Sequence, residues 1–578
     1  MLSEEEFHSF IAGMYGASVI AVDTETNGED IRDGRGFLQG LSIAYNDRAE
    51  YFPFRHKYGE NCPKEWLADI QRAFDNATAV TFHNAKFDLP SLETIGLTIK
   101  GKFYCTMLMA HMINENLPSK SLDMLSARFL NARKNKSDGK FTALVKAIGW
   151  ANISAEVMYD YAKQDAVLAL RLWQKFYPEF KKQGFDGELW EVEQKFIRLL
   201  ASMERNGVRL DTDLCASQAI AGRDRMASIT EILGFDCGKP SQLGNFLLNE
   251  LKFPVVKWTQ LDEEGNKTEK SKPSFDKFAM AEYDEMLEEL GNDAARQIIA
   301  YRGWQRSCSV AYEGYPKLLS ADGRIRPNFK LHGTVTSRLS CSDPNLQQIP
   351  KRSDKEWDGS LKAVFIPNDG YELWESDYSQ LELRLGAAYA GEKGLIEEFS
   401  KPESDVFTRM AGELGFSRGD TKTLTYTLQY GGGVRRVKNV FKVDESRAKE
   451  IRDNYFNTYP GFRDITRFAA ERAKARGYVK YWSGRRRHFA DPTKESFKAF
   501  NSITQGGAAE IVKRSMLRLS EAGLSKYMLL QVHDSVVFEL PAGSIEDFRP
   551  TIVEAMEAVD ADKDFGVRFA VELKKWGE

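Results

Sequence analysis

At 578 residues the chain is too long for a single hydrophobic core, so two to four domains are expected. It is 42% hydrophobic and 28% charged, no apolar run is long enough to span a bilayer, and the acidic start MLSEEEFHSF lacks a signal-peptide core; a globular cytoplasmic protein is expected. A formal net charge of −4 excludes a globally basic polyanion binder, so any nucleic-acid groove must come from local clusters of Lys and Arg.

The predicted elements begin with strands. SVIAVDTET (18–26) is an apolar run ending in acids, and FLQGLSIAYND and AEYFPF follow it with turn residues between. ATAVTFHN (77–84) is a further strand, and SAEVMYDYAKQDAVLALRLWQKF (154–176) has a strong helical period. Strands first and helices interleaved afterwards predict an α/β domain over about residues 1–187. From 188 to 320 the pattern is mostly helical, interrupted by the polar stretch DEEGNKTEKSKPS (262–274), which reads as a hairpin tip or loop. Strands and long helices mix from 320 onward. The six cysteines form no CxxC pair, which predicts reduced, buried thiols.

Three short segments of the first domain carry paired polar groups. Asp23 and Glu25 share one face of their strand. Asn84 and Asp88 stand four apart in HNAKFDLPSL, as do Tyr161 and Asp165 in YDYAKQDAV, which puts each pair on one helical face. Any one pair is what a solvated acid looks like. Together, Asp23, Glu25, Asp88 and Asp165 offer hard oxygen ligands for two divalent cations, an arrangement suited to phosphodiester hydrolysis, with Tyr161 to orient the water.

A second acid pair lies far downstream. YELWESDYSQLELRLGAAYA (371–390) reads as a strand and then a helix, with Asp377 at the junction. KYMLLQVHDSVVFELP (526–541) reads as two strands, with Asp534 near the turn between them. Between these segments, SRGDTKTLTYTLQYGGG (417–433) sets Arg418, Lys422, Tyr426 and Tyr430 four apart in one stripe, where a core-facing stripe would be apolar. Cations suit phosphates, and aromatic rings suit a base and a sugar. The stripe covers about 18 Å of helix, roughly the length of a nucleoside triphosphate.

In this order and spacing, DTET, HNAKFD and YAKQD resemble the three motifs of the proofreading 3′→5′ exonuclease domain of DNA polymerases. DYSQLELR, RGDTKTLTYTLQYG and QVHDS are similar to the two palm motifs and the fingers helix of family A DNA polymerases. MERNGVRLD and KPSQLGNFL resemble the thumb, TVTSRLSCSDPNLQQIP the strip along primer and template, and GRRRHF and NSITQGGAAEIVKR the stretch that tracks the template. The resemblance covers residues 18 to 573. It implies an α/β multidomain chain: a ribonuclease-H-like exonuclease domain at 1–187, thumb at 188–320, palm at 321–400 and 481–578, and fingers at 401–480.

By residue, it implies metal ligation by Asp23, Glu25, Asp88 and Asp165 in one site, and by Asp377, Asp534 and the Tyr378 carbonyl in the other. Two Mg2+ per site are expected, with Mn2+ able to substitute. Arg418 and Lys422 would hold the β- and γ-phosphates, and Lys422 would protonate the leaving pyrophosphate. Tyr426 would pack on the incoming sugar and base, Tyr430 would abut the templating position, and Glu382 would crowd a ribose 2′-OH. Arg338, Gln347, Arg485, Asn501, Gln505, Gln531 and His533 would contact DNA. The partners implied are primer–template DNA and dNTPs, with a helicase, a primase or a single-strand-binding protein beside them, and a monomer is expected.

The sequence departs from the family pattern in several places. Ser337 replaces the glycine of TGRLS. Ser535 replaces the Glu often found after HD, which leaves a third carboxylate missing from that position. Phe407 stands where a histidine is frequent, Tyr426 where many cellular members have Phe, and Cys105 where Asp is frequent before Thr106. No 5′-nuclease segment precedes the exonuclease motifs and no obvious large insertion interrupts the thumb, a pattern similar to phage replicative polymerases. Two alternatives share parts of this pattern. A single-subunit RNA polymerase is disfavoured by Glu382 and the exonuclease motifs; a catalytically inactive DNA-binding protein is disfavoured by Asp377, Asp534, Arg418 and Lys422.

Overall fold

The computed structural model describes residues 2–28, 30–132, 139–260, 266–349, 361–401 and 405–577. They form two compact units. The larger comprises Met1–Gly207, Pro327–Gln347 and Trp374–Lys574; the smaller comprises Val208–Arg326, Gln348–Leu373 and Lys575–Glu578.

The larger unit opens with a five-stranded sheet of β1 (Ile20–Thr26), β2 (Leu38–Tyr45), β3 (Arg48–Pro53), β4 (Val80–Phe82) and β5 (Phe103–Cys105), in the order β3-β2-β1-β4-β5. β2 is antiparallel to β1 and β3, while β4 and β5 run parallel to β1. This is the ribonuclease-H-like sheet expected. β1 is central and buried on both faces, so its apolar run does not alternate; only Asp23 is part-exposed. Helix α1 (Ala85–Glu93) follows β4 directly, with Asn84 at its N-cap position. Helix α2 (Ala155–Lys182) starts at Ser154, whose Oγ accepts from the Val157 N–H at 3.5 Å.

Helix α3 (Glu188–Asn206), expected to open the helical segment at 188, belongs instead to the larger unit. The reason is Trp190. Its indole N–H donates to the Phe103 carbonyl at 2.8 Å, and its ring stacks on Tyr104 at 5.6 Å, so the helix is fastened to β5.

Further along lies the nucleus of the second site: a sheet of β6 (Tyr371–Tyr378), β7 (Met528–Val532), β8 (Ser535–Pro541) and β9 (Val571–Lys575), ordered β7-β8-β6-β9. Helix α4 (Arg418–Gln429) carries the cation–tyrosine stripe. Helices α5 (Ala499–Glu521) and α6 (Ile545–Glu557) cover one face of the sheet. Ser376 Oγ lies 2.9 Å from Met556 Sδ, and Tyr378 Oη lies 2.6 Å from Ser515 Oγ. Alternation therefore turns the odd-numbered residues of this stretch, Glu375 and Asp377, to the opposite face.

The smaller unit packs helices Thr212–Leu233, Lys277–Glu289 and Ala294–Ser307 around a core that includes Leu243, Leu247, Tyr283, Leu287 and Ile298. Of the predicted hairpin tip, residues 262–265 lie outside the described residues. Its flanks do pair: the Thr259 N–H donates to the Lys272 carbonyl at 2.8 Å, and Trp258 bridges Pro273.

All six cysteines are buried and none forms a disulfide. Among the described residues no helix is long and apolar enough to cross a membrane.

Candidate active sites

β1 and α2 bring the first acids together. Ligand oxygens of Asp23, Glu25 and Asp165 all lie within 4.8 Å of one another. Tyr161 stands one helical turn before Asp165. Its ring stacks on Phe141 at 4.3 Å and meets the edge of Trp150 at 5.9 Å, which fixes its direction. Burial, then Asp165, Glu25 and Asp23, push its phenol far above the ordinary range, so the hydroxyl stays protonated beside the acids.

Asp88 is not in that three-acid group. One of its oxygens accepts from Thr24 Oγ1 at 2.7 Å, and Thr24 lies between the two acids of β1. Burial pushes its carboxyl up to about 7, opposed by hydrogen bonds from Thr24 and nearby backbone donors. An all-oxygen set with one acid this easily protonated fits a hard divalent cation, whose charge would hold every carboxylate ionised.

The second acids meet through the sheet. The Tyr378 N–H donates to the Asp534 carbonyl at 3.5 Å, which sets the end of β6 against the β7–β8 turn. His533, with φ +55°, shapes that turn and is exposed. Asp377 and Asp534 are half-buried. Oxygen donors from two carboxylates and a strand-end carbonyl again suit magnesium.

Around them, Glu382, buried in the first turn of helix Leu381–Ala390, accepts from the Arg338 guanidinium, which also lies 3.7 Å from Asp534. Burial lowers the pKa of Arg338, but the two acids outweigh it, so the guanidinium is held charged. Ser337 just before it has φ +61°, the left-handed backbone a glycine would adopt without strain.

α4 buries Thr421, Leu424, Thr425 and Leu428, which leaves Arg418, Lys422 and Tyr426 along the opposite face. Ser417 caps it, accepting from the Asp420 N–H at 3.1 Å. Tyr430 is the C-cap residue and not part of the helix proper, yet its ring continues the stripe 5.9 Å from that of Tyr426. Burial, then Glu382 and Asp534, push the Tyr426 phenol up to about 12.

The comparisons with known proteins divide the chain into two parts. The family model of DNA polymerase family A matches residues 216–578, well over half of the chain, and that of a 3′–5′ exonuclease matches residues 1–181. The chain belongs to DNA polymerase family A. It is 28% identical to DNA polymerase I of Pseudomonas aeruginosa, over 94% of this chain and 62% of that protein, and 30% identical to DNA polymerase I of Mycobacterium tuberculosis, over 85% and 55%. The chain thus spans roughly three fifths of the length of these relatives. It is 28% identical to DNA polymerase DpoZ of Salmonella phage PMBT28, over 89% of this chain and 90% of the phage protein. In fold it is similar to the polymerase domain of Pol1 from M. smegmatis, solved in complex with DNA primer-template and dNTP: TM-score 0.82, 23% identity, covering 100% of this chain and 98% of that one.

Within this family A chain, Phe407 has a definite place. Its buried ring lies 5.9 Å from Lys422 Nζ, 6.0 Å from Arg418 Cζ and 5.9 Å from the Tyr426 ring. It therefore offers the two cations a π-face where a histidine would offer a hydrogen bond. Arg418 is in turn held by Asp405, 2.5 Å away, at the N-cap of helix Val406–Leu414. Sequence reading missed Asp405, although an acid one residue before a helix was the available signal.

Three expected DNA contacts are placed differently. Arg485 is buried, 2% exposed, and holds Glu510 at 2.9 Å and Glu193. This corrects the expectation of a DNA contact. Glu193 and Glu510 are fully buried, and carboxylates so placed require counter-charges, which Arg485 and Lys513 provide. Gln347 and Gln531 are buried and joined to each other, Gln347 Nε2 donating to Gln531 Oε1 at 2.6 Å. Asn501 and Gln505 are half-buried on α5.

Proposed function

We propose that the chain is a template-directed DNA polymerase that adds dNTPs to a primer 3′ end and proofreads with its own 3′→5′ exonuclease. The observation that carries this reading is the pair of separate carboxylate sets, one on β1 and α2 and one where β6 meets the β7–β8 turn, with the α4 stripe belonging to the second. Palm, fingers and thumb are assigned as the resemblance implies, except that α3 goes with the larger unit and not with the thumb, and a monomer working in the cytoplasm is expected. Replication places it with primer–template DNA and, on the phage-type reading, with a helicase, a primase or a single-strand-binding protein.

Two Mg2+ at each set, or Mn2+ in their place, would supply Lewis-acid activation of the attacking oxygen and stabilise the leaving one. Asp377, Asp534 and the Tyr378 carbonyl hold them in one site; Asp23, Glu25, Asp165 and Asp88 hold them in the other. Arg418 and Lys422 bind the β- and γ-phosphates, Arg418 exchanging Asp405 for the nucleotide. Lys422 Nζ gives its proton to the departing pyrophosphate. Tyr426 packs on the sugar, Tyr430 abuts the templating base, and Arg338, Gln505, Asn501 and His533 follow the duplex, where minor-groove acceptors report pair shape rather than sequence. In the exonuclease, the Tyr161 hydroxyl orients the attacking water. Extension of a primed template with dNTP or rNTP and magnesium, beside degradation of single-stranded DNA, tests the whole reading; no dNTP-dependent extension would refute it.

Two expectations concern the sugar. Glu382→Ala leaves room for a 2′-OH, so the ratio of kcat/KM for dNTP over rNTP falls; an unchanged ratio removes the steric role. Tyr426 carries a hydroxyl where phenylalanine has none, and a dideoxynucleotide lacks the 3′-OH that helps fold the triphosphate. The phenol donates in its place. A hydrogen bond to a charged acceptor contributes about 1.5–3 kcal/mol, so Tyr426→Phe rejects ddNTPs roughly ten- to a hundredfold more than the wild type, with dNTP use little changed. Competition of ddNTP against dNTP in an exonuclease-inactive background measures it, and an unaltered ratio places the ring elsewhere.

A further inference from the structure

Ser535 directly follows Asp534, and its hydroxyl has two acceptors in reach, one of them the Val532 carbonyl at 2.9 Å. The other is Glu375 Oε1, 2.9 Å away on the neighbouring strand of the sheet. Both residues are 2% exposed. Glu375 stands two residues before Asp377 on β6, about 7 Å along the strand. It shares the face of Asp377, because Ser376 and Tyr378 between and after them are turned onto α5 and α6. A buried carboxylate is costly to retain, and a serine–glutamate pair of this kind is commonly no more than a satisfied core contact. Its location argues for more: the acid is two residues from Asp377 on the same strand face, and the serine that faces it is the neighbour of Asp534.

We infer that Glu375 is the third carboxylate of the polymerase site, moved across the strand pair from the position after Asp534, with Ser535 as the hydroxyl that positions it. The inference rests on the polymerase reading of Asp377 and Asp534. Glu375 contributes charge behind the two metal-holding acids and is a positioning residue. A unit charge within about 10 Å of a divalent cation held by Asp377 would, at the effective dielectric of a protein interior, change its affinity by at least about tenfold.

The experiment uses the full chain in an Asp23→Ala/Glu25→Ala background, with a chain-terminated primer–template and dNTP for binding and an extendable primer for turnover. Mn2+ bound is read by electron paramagnetic resonance, and folding by circular dichroism and Tm. Glu375→Gln, nearly isosteric, is expected to weaken Mn2+ binding about tenfold and slow extension roughly ten- to a hundredfold. E375S should do the same, and the exchange E375S/S535E, which returns the acid to the other strand within the same combined volume, should recover both. A purely structural pair would show no such recovery of Mn2+ affinity. Wild-type Mn2+ binding in Glu375→Gln overturns the inference, as does an E375S/S535E variant that keeps the wild-type Tm but binds Mn2+ no better than E375S. Asp377→Asn serves as the control: if it too extends normally, the polymerase reading itself fails, whereas loss in Asp377→Asn with none in Glu375→Gln defeats only the role of Glu375.

Discussion

Asp377→Asn lowers primer extension by more than about a thousandfold, equivalent to about 4 kcal/mol of lost transition-state stabilisation, while single-stranded DNA is still degraded at the wild-type rate. Asp23→Ala with Glu25→Ala produces the reverse. The magnitude follows from what each acid does: a carboxylate that neutralises a dication cannot be replaced by an amide without losing a full charge at the reacting phosphate. The independence follows from where the acids are. Asp23 and Glu25 belong to β1 with Asp165 beside them, whereas Asp377 precedes Tyr378, the last residue of β6, whose N–H meets the Asp534 carbonyl. The two assays, run on the same preparations at equal Tm, check it. A single substitution that removes both activities from a folded protein would sink the two-site reading.

Glu193→Ala is expected to destabilise the larger unit by about 3–5 kcal/mol, the usual consequence of breaking a buried ion pair. Glu193 is fully buried and accepts from both Arg485 and Lys513; Glu510, equally buried, lies 2.9 Å from Arg485 and 3.5 Å from Lys513. Two acids and two bases balance. Removing one acid leaves two cations sharing Glu510 in a site with almost no water. Burial raises the pKa of Glu510, yet Lys513 and Arg485 pull it below the ordinary range, so Glu510 is held charged. Urea unfolding followed by circular dichroism measures the loss, and Glu193→Gln, which keeps the shape and removes the charge, should lose a similar amount. A change below about 1 kcal/mol would place the pair among weak surface bridges.

Much of both sites was legible because their geometry is local. A period of two puts Asp23 and Glu25 on one strand face, and a period near four puts Tyr161 with Asp165 and Arg418 with Lys422 and Tyr426. The ribonuclease-H-like class of the first sheet was implied by a motif resemblance and not by periodicity, since β1 is buried on both faces and gives no alternation; its strand order came from the structure. What escaped was long-range. Arg485 sits in a basic run that reads as a DNA contact, and nothing near it shows that its partner Glu193 lies 292 residues earlier. Glu375 reads as one more strand-end acid until the hydrogen bond to Ser535, 160 residues on, is seen. Asp88 was placed on the correct helix, but helical spacing does not say that Thr24 claims one of its oxygens.

The way α3 and the loop at Glu115 join the first sheet to the rest of the larger unit bears on how the two proposed activities should be separated. Cutting the chain before residue 188 would remove Glu115, which holds Arg487 at 2.9 Å and the His488 ring at 3.0 Å. It would also remove the Phe103 carbonyl and the Tyr104 ring that seat Trp190. A truncated product would therefore expose a tryptophan and orphan a buried arginine. Point substitution at Asp23 and Glu25 keeps that scaffold intact, so the substituted full chain is the sounder reagent for testing the proposed polymerase activity alone.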